Sequence, residues 1–155
     1  MREDMSGSDQ IIPEIEQRIR SSFTRQGLMA TIGAQIIAVR SGVVEIVLPF
    51  NQTLTQQHGF LHAGMVTTIA DNACGFAALT LMPKEAAVLT TEFKVNFMSP
   101  AKGDQLRAVG RVVRAGRKLI VCLADVFAHD GANEKHIALM TASMMVVPAA
   151  DNLRD

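Results

Sequence analysis

The stretch from Ala63 to Met82, "AGMVTTIADNACGFAALTLM", is almost wholly apolar yet carries one charged side chain, Asp71, near its middle. A run of that length has two destinations: a membrane, or the inside of a fold that covers it on every side. Thr67, Thr68, Asp71 and Asn72 argue against lipid, no basic residues flank the run closely on its N-terminal side, and the rest of the chain reads as soluble β-structure. The run is therefore expected to be a core helix buried by a sheet. On such a helix Thr68, Asp71, Asn72 and Gly75 stand at i, i+3, i+4 and i+7, forming one narrow stripe of polar or small residues. An ionised carboxylate is costly to bury unless it is paired. Asp71 is thus either a core carboxylate satisfied by Thr68 or a neighbouring strand, or the mark of a functional site.

What flanks the run supplies the sheet. "SDQIIPEIEQRIRSSFTRQG" spaces Ile11, Ile12, Ile15, Ile19 and Phe23 near helical period, with Ser8 or Asp9 placed to cap and Gly27 to stop a lead helix. "IGAQIIAVR" and "VVEIVLPF" read as two strands joined at "RSG", where Gly42 can take the positive φ of a tight hairpin. After the central run, "VLTTEFKVNFM" alternates, with Leu89, Thr91, Phe93, Val95 and Phe97 on one face of a half-buried strand. Three further strands are expected near 104–115, 118–128 and 135–147, separated by "AGRK" and "HDGANE". The order is helix, two strands, long helix, four strands, so the expected class is α+β: about six antiparallel strands around one helix. Residues 1–8 and 149–155 read as tails about a single domain, 9–148.

At 155 residues the chain is long enough for one good core, and its 15 basic residues balance its 15 acidic ones. No global field favours nucleic acid or an anionic membrane, and any anionic ligand must be held locally. Cys74 and Cys122 sit inside apolar runs, which suits buried thiols in a reducing compartment. "MREDMSGSDQ" has no apolar segment of signal-peptide type, so a cytoplasmic protein is expected.

Ahead of the central helix stands "HGFLHAG". His58 and His62 would share a face on a helix and could begin a metal site, but Gly59 makes a loop the better reading, no third ligand is nearby, and no metal is expected. His129 and His136 flank a turn and read as solvent-exposed. The loop does supply a helix N-terminus with free N–H groups, one half of an oxyanion hole. The spacing Gln56, His62, Gly64, Asp71, followed by "FMSPA" at the end of the next strand, resembles the hotdog-fold acyl-CoA thioesterases of the phenylacetate-pathway, or PaaI-like, type, over about residues 20–148.

That resemblance implies a hotdog fold with no cofactor and the following roles. Asp71 is general base or nucleophile, and the Ala63 N–H polarises the thioester carbonyl. Gln56 (Gln57 the lesser choice) positions water or thioester, Thr90 (Thr91 next) assists the water, and His62 orients the loop. Gly64 and Asn72 border the substrate. The usual middle glycine of the loop is Ala63 here, which keeps the amide and adds a methyl where backbone would approach substrate.

Helix geometry adds a constraint of its own. From Ala63 to Asp71 the axis rises about 12 Å, whereas a base and an oxyanion donor acting on one carbonyl must each come within roughly 3 Å of it. One chain cannot supply both, so Asp71 and Thr90 are expected to work with Gln56 and Ala63 of another subunit in at least a homodimer. The resemblance implies the same and adds a dimer of dimers. The basic turn "RVVRAGRK", with Arg111, Arg114, Arg117 and Lys118, is either a solvated hairpin or a holder of coenzyme A phosphates. Met65, Leu89 and Phe93 are candidates to line the acyl group or plain core. The expected function is hydrolysis of an acyl- or aryl-CoA thioester; the rivals are a hotdog hydratase or dehydratase and a non-catalytic acyl-CoA binder.

Overall fold

A computed structural model describes residues 11–150 and 153–155. The apolar run forms the helix α3, Ala63–Leu79, with Ile69, Ala70, Ala73, Cys74, Ala77, Ala78 and Leu79 fully buried. What buries them is one sheet of six strands: β1 (Gln35–Arg40), β2 (Val43–Pro49), β3 (Ala86–Phe97), β4 (Gln105–Ala115), β5 (Leu119–Asp130) and β6 (Asn133–Pro148). The strand order is β1-β2-β4-β5-β6-β3, and every pairing is antiparallel. Such a sheet curls, and its concave face covers the helix on the sides that a flat sheet would leave wet. Gly110 of β4 makes the closest approach, since a Cβ there would overlap the backbone of Ala73 and Cys74. Gly42 turns β1 into β2 at φ 71°, as its place between the two strands predicts.

The lead helix differs in its ends. It is α1, Pro13–Thr24, with Ile12 as an N-cap that makes no side-chain cap and Pro13 in the first turn; Ser8 and Asp9 lie outside the described residues. Gly27 does not stop it. The chain leaves α1 at Arg25, and Gly27 opens a second short helix, α2, Gly27–Ile32, ended by Gly33 at φ 76°. Ile19, Phe23, Met29 and Ile32 then close the open side of the core beside α3.

Strand β3 departs most from its sequence reading. It lies at the sheet edge, paired only with β6, and Phe93, Phe97 and Met98 are 46%, 50% and 51% exposed. A bulge between Thr90 and Glu92 makes two residues oppose one, so the alternation changes phase at Thr91. Thr90, Phe93, Val95 and Phe97 therefore share the concave face, paired with Met144, Ala142, Met140 and Ala138, while Leu89 turns to the convex face opposite Met145. Leu89 is thus no lining residue. No helix among the described residues is long and apolar enough to cross a membrane.

Candidate active site

Asp71 stands in the third turn of α3, on the side facing β3. Thr90, brought to that face by the bulge, donates its hydroxyl to Asp71 Oδ1 at 2.8 Å. Thr68 does not compete, because its hydroxyl goes back to the Gly64 carbonyl. The partner of the core carboxylate is the neighbouring strand. Burial pushes the Asp71 carboxyl above the ordinary aspartate range, and the Thr90 hydrogen bond opposes that shift. Asn72 gives its amide to the Thr68 carbonyl at 3.2 Å, and Thr91 gives its hydroxyl to the Ser143 carbonyl at 3.0 Å, away from Asp71. Of the two threonines, only Thr90 reaches the carboxylate.

The helix start is built separately. Residues Gln56 to Leu61 fold into a tight turn with Gly59 at φ 82°, held by Gly59 N–H to the Gln56 carbonyl and Gln56 N–H to the Phe60 carbonyl. The Gln56 side chain accepts from the His58 backbone N–H. His62 is the N-cap of α3, its Nδ1 accepting from Gly64 N–H at 2.8 Å, which fixes the ring proton on Nε2. His58 instead meets Gln57, so the two loop histidines share no face. Gly64 is spent on the cap. The Ala63 N–H between them donates to no group among the described residues, and the exposed first turn presents it at the positive end of the helix.

Two cavities separate these halves. One, of about 500 Å³, is lined by Gln56, Phe60, Ala63, Phe97, Met98 and Ser99. The other, of about 120 Å³, is lined by Asp71, Asn72, Thr90, Gln26, Phe76 and Asp155, with Gly75 and Val88 completing it. Gln56 and Ala63 line the first cavity, and Asp71 and Thr90 line the second.

The basic turn joins β4 to β5, with Arg114, Arg117 and Lys118 exposed and in no ion pair with another described residue. Arg111 differs, for it pairs with Asp125. In the sheet Thr90 is followed by Met144, Ile120 and Ala115 across successive strands, which puts the turn about 14 Å from Thr90 at ~4.8 Å per strand. His129 and His136 are not simply solvated: His129 meets Glu134 at 2.8 Å, and His136 stacks on Phe127 and meets Asp125 at 3.0 Å. No group of three His, Cys, Asp or Glu side chains among the described residues is arranged to hold a metal.

Sequence reasoning missed Gln26 and Asp155. Asp155 reaches the cavity because its carboxylate accepts from Ser22 Oγ at 3.0 Å and from Val88 N–H at 2.8 Å, so the expected C-terminal tail folds back at its last residues. No local pattern announces such a contact. Phe97, Met98 and Ser99 had a signal, the "FMSPA" stretch, but it spoke only for the resemblance.

The thioesterase superfamily profile matches residues 58–135. A crystal structure of a thioesterase family protein from Silicibacter pomeroyi is 50% identical, covers 87% of this chain and 99% of its own, and superposes with a TM-score of 0.86. A Saccharolobus solfataricus protein named as a candidate esterase is 34% identical over 100 residues, 64% of this chain but only 65% of that relative's length. The 1,4-dihydroxy-2-naphthoyl-CoA hydrolase of Listeria monocytogenes is 24% identical over 91 residues, 59% of this chain and 74% of its own.

Proposed function

The chain belongs to the thioesterase superfamily, and from that membership we propose that it hydrolyses an acyl-CoA thioester to the free acid and coenzyme A. Thioester hydrolysis is the general activity; acyl-CoA as the substrate and the role of each residue are our reading. The observation that carries it is a desolvated carboxylate, Asp71, gripped by Thr90 and opening onto a cavity on a helix that is otherwise core.

The site is completed by a second subunit. Strand β3 leaves one backbone edge unpaired and apolar side chains exposed along it, a combination that pairs with another edge. Antiparallel pairing of β3 with its own copy about a two-fold axis at Lys94, with the bulged Thr91 left unopposed, sets Thr90 opposite the partner's Phe97, whose cavity also holds the partner's Gln56 and the partner's Ala63. Each dimer then has two sites, and pairing of dimers gives the tetramer. Asp71 takes a proton from water while the water oxygen bonds to the thioester carbonyl carbon. The oxyanion so formed accepts from the partner's Ala63 N–H. Collapse breaks the C–S bond, and the thiolate leaves as thiol with the proton returned by Asp71. Arg114, Arg117 and Lys118, about 14 Å away along the sheet, meet the coenzyme A phosphates through an extended pantetheine arm. Buried reduced Cys74 and Cys122 suit the cytoplasm as the place of work.

Thiol release from a set of acyl-CoA and aroyl-CoA thioesters, followed colorimetrically with purified protein, tests the reading. Turnover of at least one thioester is expected. Saturable binding of acyl-CoA with no thiol released would leave a binding protein instead.

A further inference from the structure

The cavity beside Asp71 has a composition that the reaction alone does not require. Its volume is about 120 Å³. Two carboxylates, Asp71 and Asp155, and two neutral amides, Gln26 and Asn72, line it, with no Lys, Arg or His among the described lining residues. Asp155 accepts from Ser22 Oγ and Val88 N–H, each oxygen keeping capacity for a second donor. Arg18 lies near enough to feel the Asp155 charge, but its guanidinium is turned onto the carbonyls of Pro83 and Ala86.

Because a water activated by Asp71 must attack the carbonyl carbon at close range, the acyl carbons next to that carbonyl fall in this cavity. Resting on the thioesterase reading, we propose that Asp155 makes this site favour uncharged acyl groups and reject acyl groups ending in a second carboxylate. An incoming carboxylate about 6 Å from Asp155 is disfavoured on the order of 10²-fold at an effective dielectric of about 20.

Four thioesters isolate the effect of acyl charge: butyryl-CoA, 3-hydroxybutyryl-CoA, succinyl-CoA and decanoyl-CoA. The first three share four acyl carbons. With the full oligomer, kcat/KM for succinyl-CoA is expected to lie on the order of 10²-fold below that for butyryl-CoA, a loss that the uncharged 3-hydroxybutyryl-CoA and decanoyl-CoA escape. Asp155→Asn, which keeps size and an acceptor oxygen, is expected to narrow the butyryl-to-succinyl ratio by about tenfold or more. Gln26→Glu, which adds a carboxylate to the lining, is expected to widen it, and serves where Asp155→Asn fails to fold. Equal turnover of butyryl-CoA and succinyl-CoA, or a ratio unmoved in both folded variants, overturns the selection. Hydrolysis of other thioesters but of none of these four overturns the selection alone; thiol released by folded protein from no acyl-CoA or aroyl-CoA thioester overturns the thioesterase reading and the selection with it.

Discussion

The Thr90 hydroxyl reaches the Asp71 carboxylate at 2.8 Å because β3 bulges at the very next residue. In an unbroken strand in which Thr91, Phe93 and Val95 faced α3, Thr90 would face away. The bulge reverses the phase and aims Thr90 at the helix, while Thr91 pins the irregularity to the Ser143 carbonyl.

Thr90→Val keeps the shape and removes the donor. That hydrogen bond is what opposes the burial-driven rise of the Asp71 pKa, so without it the carboxyl titrates at still higher pH. The acid limb of the kcat/KM against pH profile is expected to move upward, and Thr90→Ser to bring it back. An acid limb that stays in place in a folded Thr90→Val protein would separate Thr90 from the reacting carboxylate.

Asp71→Asn is expected to lower kcat by about 10²- to 10⁴-fold, the usual loss of a general base. Its effect on stability has the opposite sign. Burial raises the folded-state pKa of Asp71 above the ordinary value, so the favourable contribution of the neutral form, complete below the unfolded pKa, is lost as pH rises through the folded one. Asparagine carries no such charge. Asp71→Asn should melt higher than wild type at neutral pH, and the gap should close below the ordinary aspartate range; melting curves at both pH values decide it. A variant that is active or destabilised at neutral pH would return Asp71 to a structural role.

The large features of this fold are written in single segments of sequence. A run apolar on all sides has to be enclosed, and α3 is. Gly42 between two strands has to turn, and it does. The features that were not legible depend on residues far away in the chain. Thr90 and Thr91 are equal candidates until β6 fixes which residues they oppose, and the alternation around them looks regular because a bulge leaves no composition of its own. Gly27 looks like a helix stop, yet a glycine can also begin a turn of helix when Met29 and Ile32 have a core to enter. Asp155 lies 133 residues from Ser22, and nothing near either one predicts their contact.

The two cavities make the shared site testable by mixing. Asp71→Asn subunits retain the Gln56 and Ala63 half, and Gln56→Ala subunits retain the Asp71 and Thr90 half. In a mixed dimer one site carries both lesions and the other carries neither. Random exchange of two inactive variants should therefore recover about a quarter of wild-type activity if the dimer sites are independent. Exchange demonstrated by mass-tagged subunits, with no activity regained, would confine each site to a single chain.

His62 acts through the helix start. Its Nδ1 is the acceptor for Gly64 N–H, so His62→Ala is expected to cost about 1 kcal/mol of stability, the ordinary worth of an N-cap, whereas His62→Asn should retain most of it. The same pair separates capping from chemistry. Activity that follows the melting temperature, lost in the alanine variant and kept in the asparagine one, is expected; a folded, stable His62→Asn protein slowed by more than about tenfold would give the imidazole a part in the reaction.

Ala63→Pro removes the one backbone donor assigned to the oxyanion and changes little else. Proline suits the first position of a helix, where its fixed φ fits and its missing N–H has no intrahelical partner. The residue before a proline must be extended, and His62 already is, at φ −62° and ψ 141°. Ala63 N–H bonds nothing among the described residues, so no structural hydrogen bond is lost. The variant is expected to fold and to keep its oligomeric size by circular dichroism and light scattering. Its kcat should nevertheless fall by about 10²- to 10³-fold, the cost of one oxyanion donor. Ala63→Gly keeps the amide and should keep the rate. A folded Ala63→Pro oligomer with wild-type turnover would show that the start of α3 does not hold the oxyanion, and would move the search for that donor to the other amides around the Gln56 cavity.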